Sequence, residues 1–348
     1  DGAPARAEPA AGGGGLRAPI EAVMMVAAEP VPASDIADAL GVSPSTVSLA
    51  LRGSDRISSA MRKRVVQEAA AQGYRTDLAG ALLRTAKPRI IGLVCDIGQE
   101  LHVAYSREIT AVAEARGWLI MMEDTAAGDG AAALGRIMQL RAQAVIVVDP
   151  GSVPAEALTG LDIPAVVIGQ ASPSPDADLI ISNNDSGMAQ VADLLADESQ
   201  VICFDGGPTA SARYRRQSFL AAMSRTRADV RVVASGATMD AGWAAMRSVL
   251  ADGPLTAGAA VCYNDQCALG VMAALTRERL VVPDDIRLVG FDNSRIASSA
   301  AFELTSVDRD PHGVAALAVE RAILRAEGDD SPATHAQVDT RLVRRRTA

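Results

Sequence analysis

The chain of 348 residues predicts an all-α helix-turn-helix segment near its N-terminus, followed by an α/β region built from two similar parallel-sheet halves. Three observations point there. Over 34–51, SDIADALGVSPSTVSLAL places apolar residues three and four apart on both sides of a glycine. From Arg89 onward, short apolar runs alternate with helical stretches. About 250 residues of such alternation exceed one ordinary doubly wound sheet, so two halves are expected.

In the first segment Ile36, Ala37 and Leu40 share a helical face, and Val47, Ala50 and Leu51 repeat that spacing. Gly41 supplies the tight turn between the helices, and Ser43 stands as N-cap of the second. That second helix offers Pro44, Ser45, Thr46, Ser48 and Leu49, small polar and apolar side chains suited to a DNA major groove, with Arg52 just after it. A two-helix hairpin in a core would look similar over so short a span. A third helix follows, capped by Ser58 and ended by Gly73. Met61, Val65 and Ala69 form its buried stripe, and Arg62, Lys63 and Arg64 are expected outside it, where phosphate contact is the natural use beside such a motif. TDLAGALLRTAKPR then reads as a short weak helix, because Gly80 in its middle costs about 1 kcal/mol.

Charge divides along the same boundary. Residues 31–90 hold nine Lys and Arg against five Asp and Glu, a balance of +4, while residues 91–348 hold 22 against 33, a balance of -11. A small basic head on an acidic body suits contact with nucleic acid through the N-terminal part alone. The four cysteines lie in or beside apolar segments without CxxC or histidine spacing, and read as buried thiols in a reducing compartment. No apolar run approaches the roughly 20 residues of a membrane span, so a soluble protein is expected. Residues 1–30 read as a Gly-, Ala- and Pro-rich disordered tail and an extra amphipathic helix ended by Pro30 and Pro32. The apolar core of a signal peptide is the alternative for IEAVMMVAAEP, but Glu21 interrupts its leading edge.

In the α/β region the runs IIGLVCDI, WLIMMED, AVIVVD, IPAVVIG, QVICFDG, RVVASG, AAVCYND and IRLVGFD are the expected strands of right-handed βαβ units. Ligands in such folds bind at the carboxyl ends of strands. That directs attention to Asp96, Gly169, Asp205, Asn264 with Asp265, and Asp292 with Asn293.

The string GVSPSTVSLALRGSDRISSAMRKRVVQEAAAQGYR resembles the headpiece of the LacI/GalR family of bacterial transcription regulators, and YNDQCALGVMAAL, VPDDIRLVGFDNS and LTSVDRDP resemble that family's effector-domain blocks, in the family's order. The likeness spans roughly residues 33 to 345. It implies a helix-turn-helix headpiece over 31–75, a hinge helix over 76–88, and over 89–348 a two-lobed domain of the periplasmic-binding-protein type that binds a small molecule and dimerises, a tetramer remaining open. Operator reading then falls on Pro44, Ser45 and Leu49, with Thr46 and Ser48 toward phosphate. Leu83 takes the place of the hinge leucine that wedges into the minor groove. Arg215, Asn264 and Asp292 take the effector positions. A guanidinium fork, an amide and a carboxylate converging from different strand ends can hydrogen-bond vicinal hydroxyls, as in a sugar or polyol.

Departures from the family matter as much. Pro32 stands where a Thr cap is usual, so capping of the first helix is expected to shift to Ser34. The hinge has Thr76 in place of the proline that usually follows GYR, and Gly80 in place of a common alanine. Gln99, Glu100, Leu101 and His102 replace an aromatic stretch, which puts a plain hexose effector in doubt. His102 and Arg107 are candidate polar contacts instead. No cofactor, metal or membrane partner is implied.

Two other function classes fit less well. An exported solute-binding protein of the same two-lobed fold would need a signal peptide and no headpiece. An enzyme on a Rossmann-like sheet would be expected to show GxGxxG after the first strand or GxSxG, and neither is present. His102, His312 and His335 are scattered, with no acid-base partner evident in sequence.

Overall fold

The computed structural model describes residues 31–51, 53–74, 85, 87–125 and 128–348. The chain divides into two compact units, Asp1–Thr85 and Ala86–Ala348.

The first unit holds helices α1 (Ala33–Leu40), α2 (Pro44–Leu51) and α3 (Ser59–Ala71). Ile36, Ala37, Val47, Ala50, Val65 and Ala69 form its small core, with Leu40, Leu51 and Met61 packed at the edge. Gly41 turns the chain at φ +64, in the left-handed region that a side chain would disfavour. The hydroxyl of Ser43 accepts the Thr46 N–H at 3.1 Å, and that of Ser58 accepts the Met61 N–H at 3.3 Å, so both expected caps form. Two expectations need correction. The cap position of α1 is Pro32, which has no side-chain acceptor, and Ser34 lies inside the first turn with its hydroxyl donated to Asp35 at 3.3 Å. The fixed φ of proline starts the helix before Ser34 can cap it. Arg62 does not stay outside: its guanidinium donates to the carbonyls of Gly53 (3.1 Å) and Ser54 (2.9 Å), pinning the loop between α2 and α3. Lys63 and Arg64 remain exposed. Residues 1–30, Arg52 and nearly all of the 76–88 segment, Gly80 and Leu83 included, lie outside the described residues.

In the second unit the first lobe carries β1 (Ile90–Cys95), β2 (Leu119–Asp124), β3 (Ala144–Val148), β4 (Ala165–Ile168), β5 (Asp178–Asn183) and β11 (His335–Asp339). The second lobe carries β6 (Gln200–Asp205), β7 (Asp229–Ala234), β8 (Ala259–Cys262), β9 (Arg287–Phe291), β10 (Thr305–Asp308) and β12 (Arg341–Val343). Their orders, β11-β5-β4-β3-β1-β2 and β12-β10-β9-β8-β6-β7, repeat one topology, parallel except for the β10–β12 pair. Ile90 lies opposite Leu119 in one sheet and Gln200 opposite Asp229 in the other. β1 and β3 are buried along their whole length, which is why they read as unbroken apolar runs, whereas the edge strands β2 and β7 mix exposed and half-buried positions.

The helices of this unit are α4 (Glu100–Ala115), α5 (Gly130–Gln139), α6 (Ala155–Thr159), α7 (Asn184–Leu194), α8 (Ala210–Met223), α9 (Met239–Ala251), α10 (Asp265–Arg277) and α11 (Pro311–Ala326). Tyr105 and Ile109 of α4 and Val314 and Ala318 of α11 share a core with Leu93 and Ile146 of the first sheet. Met246 of α9 and Val271 of α10 cover one face of the second sheet, and Val191 of α7 and Phe219 of α8 the other.

All eight expected strands are present. β5, β11 and β12 were not among them, and β10 was seen only as part of LTSVDRDP. β5 opens on a buried carboxylate, Asp178, held by Arg321 and Arg325, and its apolar stretch is three residues long. The chain crosses between the lobes three times, after Asn183, around Arg309 and at Thr340. The crossings are tied together: Thr340 donates its hydroxyl to the Asn183 carbonyl at 2.7 Å, the Asn183 amide donates to Asp339 at 2.8 Å, and Arg341 pairs with Asp308 at 3.0 Å. All four cysteines are free and buried. Among the described residues no helix is long and apolar enough to cross a membrane.

Candidate functional site

In the first unit the exposed start of α2 presents Ser43, Pro44 and Ser45, while Thr46, Ser48 and Leu49 are half-buried. Ser43 and Thr46 join their hydroxyls at 2.9 Å, which fixes the first turn that a recognition helix lays against base edges. Ser34 is exposed one helix earlier.

In the second unit, residues at the carboxyl ends of both sheets line a cavity of about 720 Å³ between the lobes. These ends flank the points where strand order reverses, between β1 and β3 and between β6 and β8. From the first lobe, His102 on the first turn of α4 accepts the Asp96 N–H on Nδ1 at 3.2 Å, which places the imidazole proton on Nε2, 3.4 Å from Asp149. Asp149, following β3 at φ 44, also receives the Ser211 hydroxyl at 2.7 Å. Ser211 lies on the first turn of α8, so this hydrogen bond crosses from lobe to lobe. Burial pushes the Asp149 carboxyl up, but the hydrogen bonds from His102 and Ser211 and the Arg309 charge outweigh it and hold the group well below the usual carboxylate range.

From the second lobe, Arg215 of α8 is buried between the rings of Tyr263 (4.4 Å) and Phe291 (3.8 Å) and donates Nη1 to the Tyr263 carbonyl. The Tyr263 ring in turn rests on Gly206, where a Cβ would overlap it. Asp292 lies between two guanidiniums, its Oδ1 3.8 Å from Arg215 and 3.6 Å from Arg309. Both separations are ion pairs too long to be hydrogen bonds, and Oδ1 is buried without a hydrogen-bond partner. Burial raises the Asp292 pKa, and the two arginines only partly oppose it. Arg309 also donates Nε to the Ser182 hydroxyl at 3.2 Å.

The Asp292 backbone is itself strained, at φ 101 followed by φ 49 at Asn293. Asp265 holds that turn in place by accepting the Ser294 N–H and the Ser306 hydroxyl, each at 2.6 Å, and the Ser306 oxygen in turn accepts the Asn293 N–H at 3.0 Å. Burial, followed by the nearby Asp292 charge, pushes Asp265 up to about 7.

The structure brings four of the five expected effector residues into the cavity wall: His102, Arg215, Asn264 and Asp292. Asn264 is largely engaged as the N-cap of α10, accepting the Cys267 N–H and donating to the Ala237 carbonyl, both at 2.9 Å, which leaves one amide hydrogen for a ligand. Arg107 is corrected: it is exposed on α4 and outside the lining, because helical spacing from the inward-facing His102 and Tyr105 turns it to solvent. Of the strand-end residues, Asp205 pairs with Arg216, and Asn293 accepts from Arg345. Sequence reasoning missed Asp149, Ser211, Tyr263 and Arg309. Three of them carried a signal, since Asp149 closes the run AVIVVD, Tyr263 opens the block YNDQCALGVMAAL and Arg309 lies within LTSVDRDP.

Chemically the site is a set of hydrogen-bonding groups sent in from both lobes. Asp149 stands between the Ser211 hydroxyl and the His102 imidazole, so the imidazole is not placed to take the serine proton. Among the described residues no group of three or more His, Cys, Asp or Glu could hold a metal.

Comparison with known proteins agrees in both units. Residues 34–77 match the family model described as bacterial regulatory proteins, lacI family, and residues 198–348 match the periplasmic binding protein-like domain. The chain carries a lacI-family helix-turn-helix domain and a periplasmic-binding-protein-like domain. This regulator is 26% identical over 298 residues to the transcriptional repressor CytR of Escherichia coli, covering 78% of this chain and 83% of CytR. It is 26% identical over 318 residues to the lactose operon repressor of Escherichia coli, covering 86% of each. A LacI transcriptional regulator from Rhodococcus superposes with TM-score 0.68 at 29% identity, covering 75% of this chain and 98% of that one. The lac repressor bound to ONPG shares the fold, with TM-score 0.75 at 22% identity over 92% of this chain and the whole of that one. Like its curated relatives, the regulator is a DNA-binding transcriptional repressor with an effector-binding domain.

Proposed function

We propose that this repressor binds an approximately palindromic operator as a homodimer in the cytoplasm, and that a small sugar- or polyol-like effector in the interlobe cavity sets its operator affinity. The observation that carries this reading is one chain holding both a helix-turn-helix with an open recognition face and a cavity into which both lobes send hydrogen-bonding side chains. Residues 31–75 serve as the headpiece, 76–88 as the hinge and 89–348 as the effector and dimerisation domain. Ser34, Ser43, Pro44, Ser45, Thr46, Ser48, Leu49, Arg52 and Leu83 form the DNA-facing set. The lac repressor dimer solved with operator and an anti-inducer shares this fold, which supports the two-fold arrangement.

An effector gripped in one closure state shifts DNA binding by no more than its differential affinity for the two states, commonly about 1–3 kcal/mol. The test is a gel shift and footprint on the DNA upstream of the repressor's own gene. Two half-sites and a steep fall of log affinity with log salt are expected. Removal of the first 87 residues should abolish binding. Retained sequence-specific binding by that shortened chain overturns the reading. If Leu83 wedges between central base pairs, Leu83→Ser weakens operator binding far more than binding to random DNA.

A further inference from the structure

Outside the cavity, one polar side chain sits where the fold calls for an apolar one. Helix α7 buries Asn184, Gly187, Met188, Val191 and Ala192, the i, i+3, i+4, i+7, i+8 stripe of a helix lying on a core. Met188 and Val191 share that core with Phe219 and Val307, and Gly187 lies so close to Val307 and Thr340 that a Cβ would overlap both. Asn184 opens the stripe. It is 4% exposed, and neither its Oδ1 nor its Nδ2 has a hydrogen-bond partner among the described residues. Burying an amide unpaired costs free energy that an apolar side chain of the same size does not.

Its place in the chain gives that cost a meaning. Asn183 ends β5 of the first lobe and Asn184 begins α7 of the second, so the unpaired amide stands at the first crossing. The other polar groups of that crossing are taken. The Asn183 side chain accepts the Asp185 N–H at 3.2 Å and donates to Asp339 at 2.8 Å, while its carbonyl accepts the hydroxyls of Ser186 (2.9 Å) and Thr340 (2.7 Å). The Thr340 hydroxyl oxygen accepts the Gly187 N–H at 2.9 Å, and the Ser186 oxygen accepts the Thr340 N–H at 2.9 Å. A bridging water needs about three polar partners, and these groups are already engaged with one another. In a rigid link the amide would be only a penalty. An amide unpaired in one arrangement of the lobes and paired in another narrows the free-energy gap between the two.

We propose that Asn184 is a conformational counterweight at the pivot between the lobes. It destabilises the arrangement described here and finds main-chain partners at the crossings around Arg309 and Thr340 when the lobes turn, so that both arrangements are populated without effector. The amide shifts their ratio by about 5- to 150-fold, and with the two near balance a modest differential affinity of a ligand is enough to switch the protein. The effector-controlled reading above is assumed only for the link from lobe arrangement to operator affinity.

The test uses the full chain with spin labels on Glu156→Cys in α6 of the first lobe and Asp240→Cys in α9 of the second, both exposed positions, the four native cysteines being buried. Labelled protein is diluted with unlabelled, so that pulsed electron resonance reads distances within one chain. Without ligand the wild type should show two interlobe distances. Asn184→Leu, which fills the stripe with no polar group, should keep the one belonging to the arrangement described here and deplete the other by at least about fivefold. Asn184→Ala should do the same, and it carries the test if the leucine variant does not fold. Operator DNA, the fragment footprinted upstream of the repressor's own gene, should select one of the two distances in the wild type. In a gel shift Asn184→Leu should then bind that fragment at least as tightly as the wild type if the selected distance is the one it keeps, and at least about fivefold more weakly if it is the one depleted. A single distance in the wild type, two undiminished distances in both variants, or an operator affinity that moves against the distance selected overturns the proposal. Two distances that respond to Asn184 while operator DNA selects neither uphold the pivot and strike only the effector-controlled reading.

Discussion

Replacing Asp265 with Asn should remove one component of the pH dependence of stability between about pH 4 and pH 8. The carboxyl is buried, receives the Ser294 N–H and the Ser306 hydroxyl, and is pushed up to about 7 by burial and by the neighbouring Asp292 charge. In the unfolded chain the same group titrates near 3.9. Between those values the folded protein holds a proton that the unfolded chain has released, so the contribution is fully present below about pH 4 and is lost as pH rises through 7. A gap of about three pH units at 1.36 kcal/mol each makes it on the order of 4 kcal/mol. Asn can keep the geometry, its Oδ1 accepting from Ser294 and its amide donating to the Ser306 oxygen. The assay is urea unfolding of both proteins at matched pH. The difference, wild type minus variant, should fall by about 4 kcal/mol from pH 4 to pH 8. Asp149 and Asp178, both held below the usual range, make each protein less stable toward acid, but that loss is common to the two and cancels. A difference that stays flat within about 1 kcal/mol would refute the reasoning.

Ser43→Ala and Ser58→Ala should each cost the headpiece about 1 kcal/mol, read as a shift in its thermal transition by circular dichroism. Arg62→Ala should loosen the 53–54 loop and lower the same transition by about 1–2 kcal/mol, whereas Lys63→Ala should leave the melt unchanged and reduce the salt dependence of operator binding. Equal effects of the two on the melt would contradict the contacts of Arg62 with Gly53 and Ser54. Arg215→Ala strips Asp292 of a buried cation and the Tyr263 carbonyl of its donor, so it should destabilise the second unit by about 3–5 kcal/mol as well as abolish the effector response. An unchanged melting temperature would show that Arg215 is not the buried support described here.

The parts of the fold legible in sequence were those written in local periodicity. The capped helices around Gly41 and Ser58 and the buried runs of β1 and β3 carry their signal within a few residues. β11 and β12 carry none, because HAQVD is half polar and RLV is three residues long, and each exists through its neighbour in a sheet already formed. The site shows the same divide. Arg215, Asn264 and Asp292 could be placed by resemblance to family blocks, and His102 by its position after the first strand. Asp149 and Ser211 meet only because two lobes face each other, 62 positions apart in the chain. Arg62 was misjudged for a related reason, since a charge run on a helix does not reveal that a loop has turned its carbonyls toward one member.

The three crossings between the lobes make neither lobe a contiguous stretch of chain. The first sheet is incomplete until His335–Asp339 joins Asp178–Asn183, and the second until Arg341–Val343 joins Thr305–Asp308. A growing polypeptide therefore cannot finish the first lobe before nearly all of the second has been made, and the two must consolidate together late in folding, with the slow kinetics that long-range strand pairing imposes. For the same reason a single backbone cut within one lobe frees neither, and damage to residues 335–343 is felt in both sheets at once.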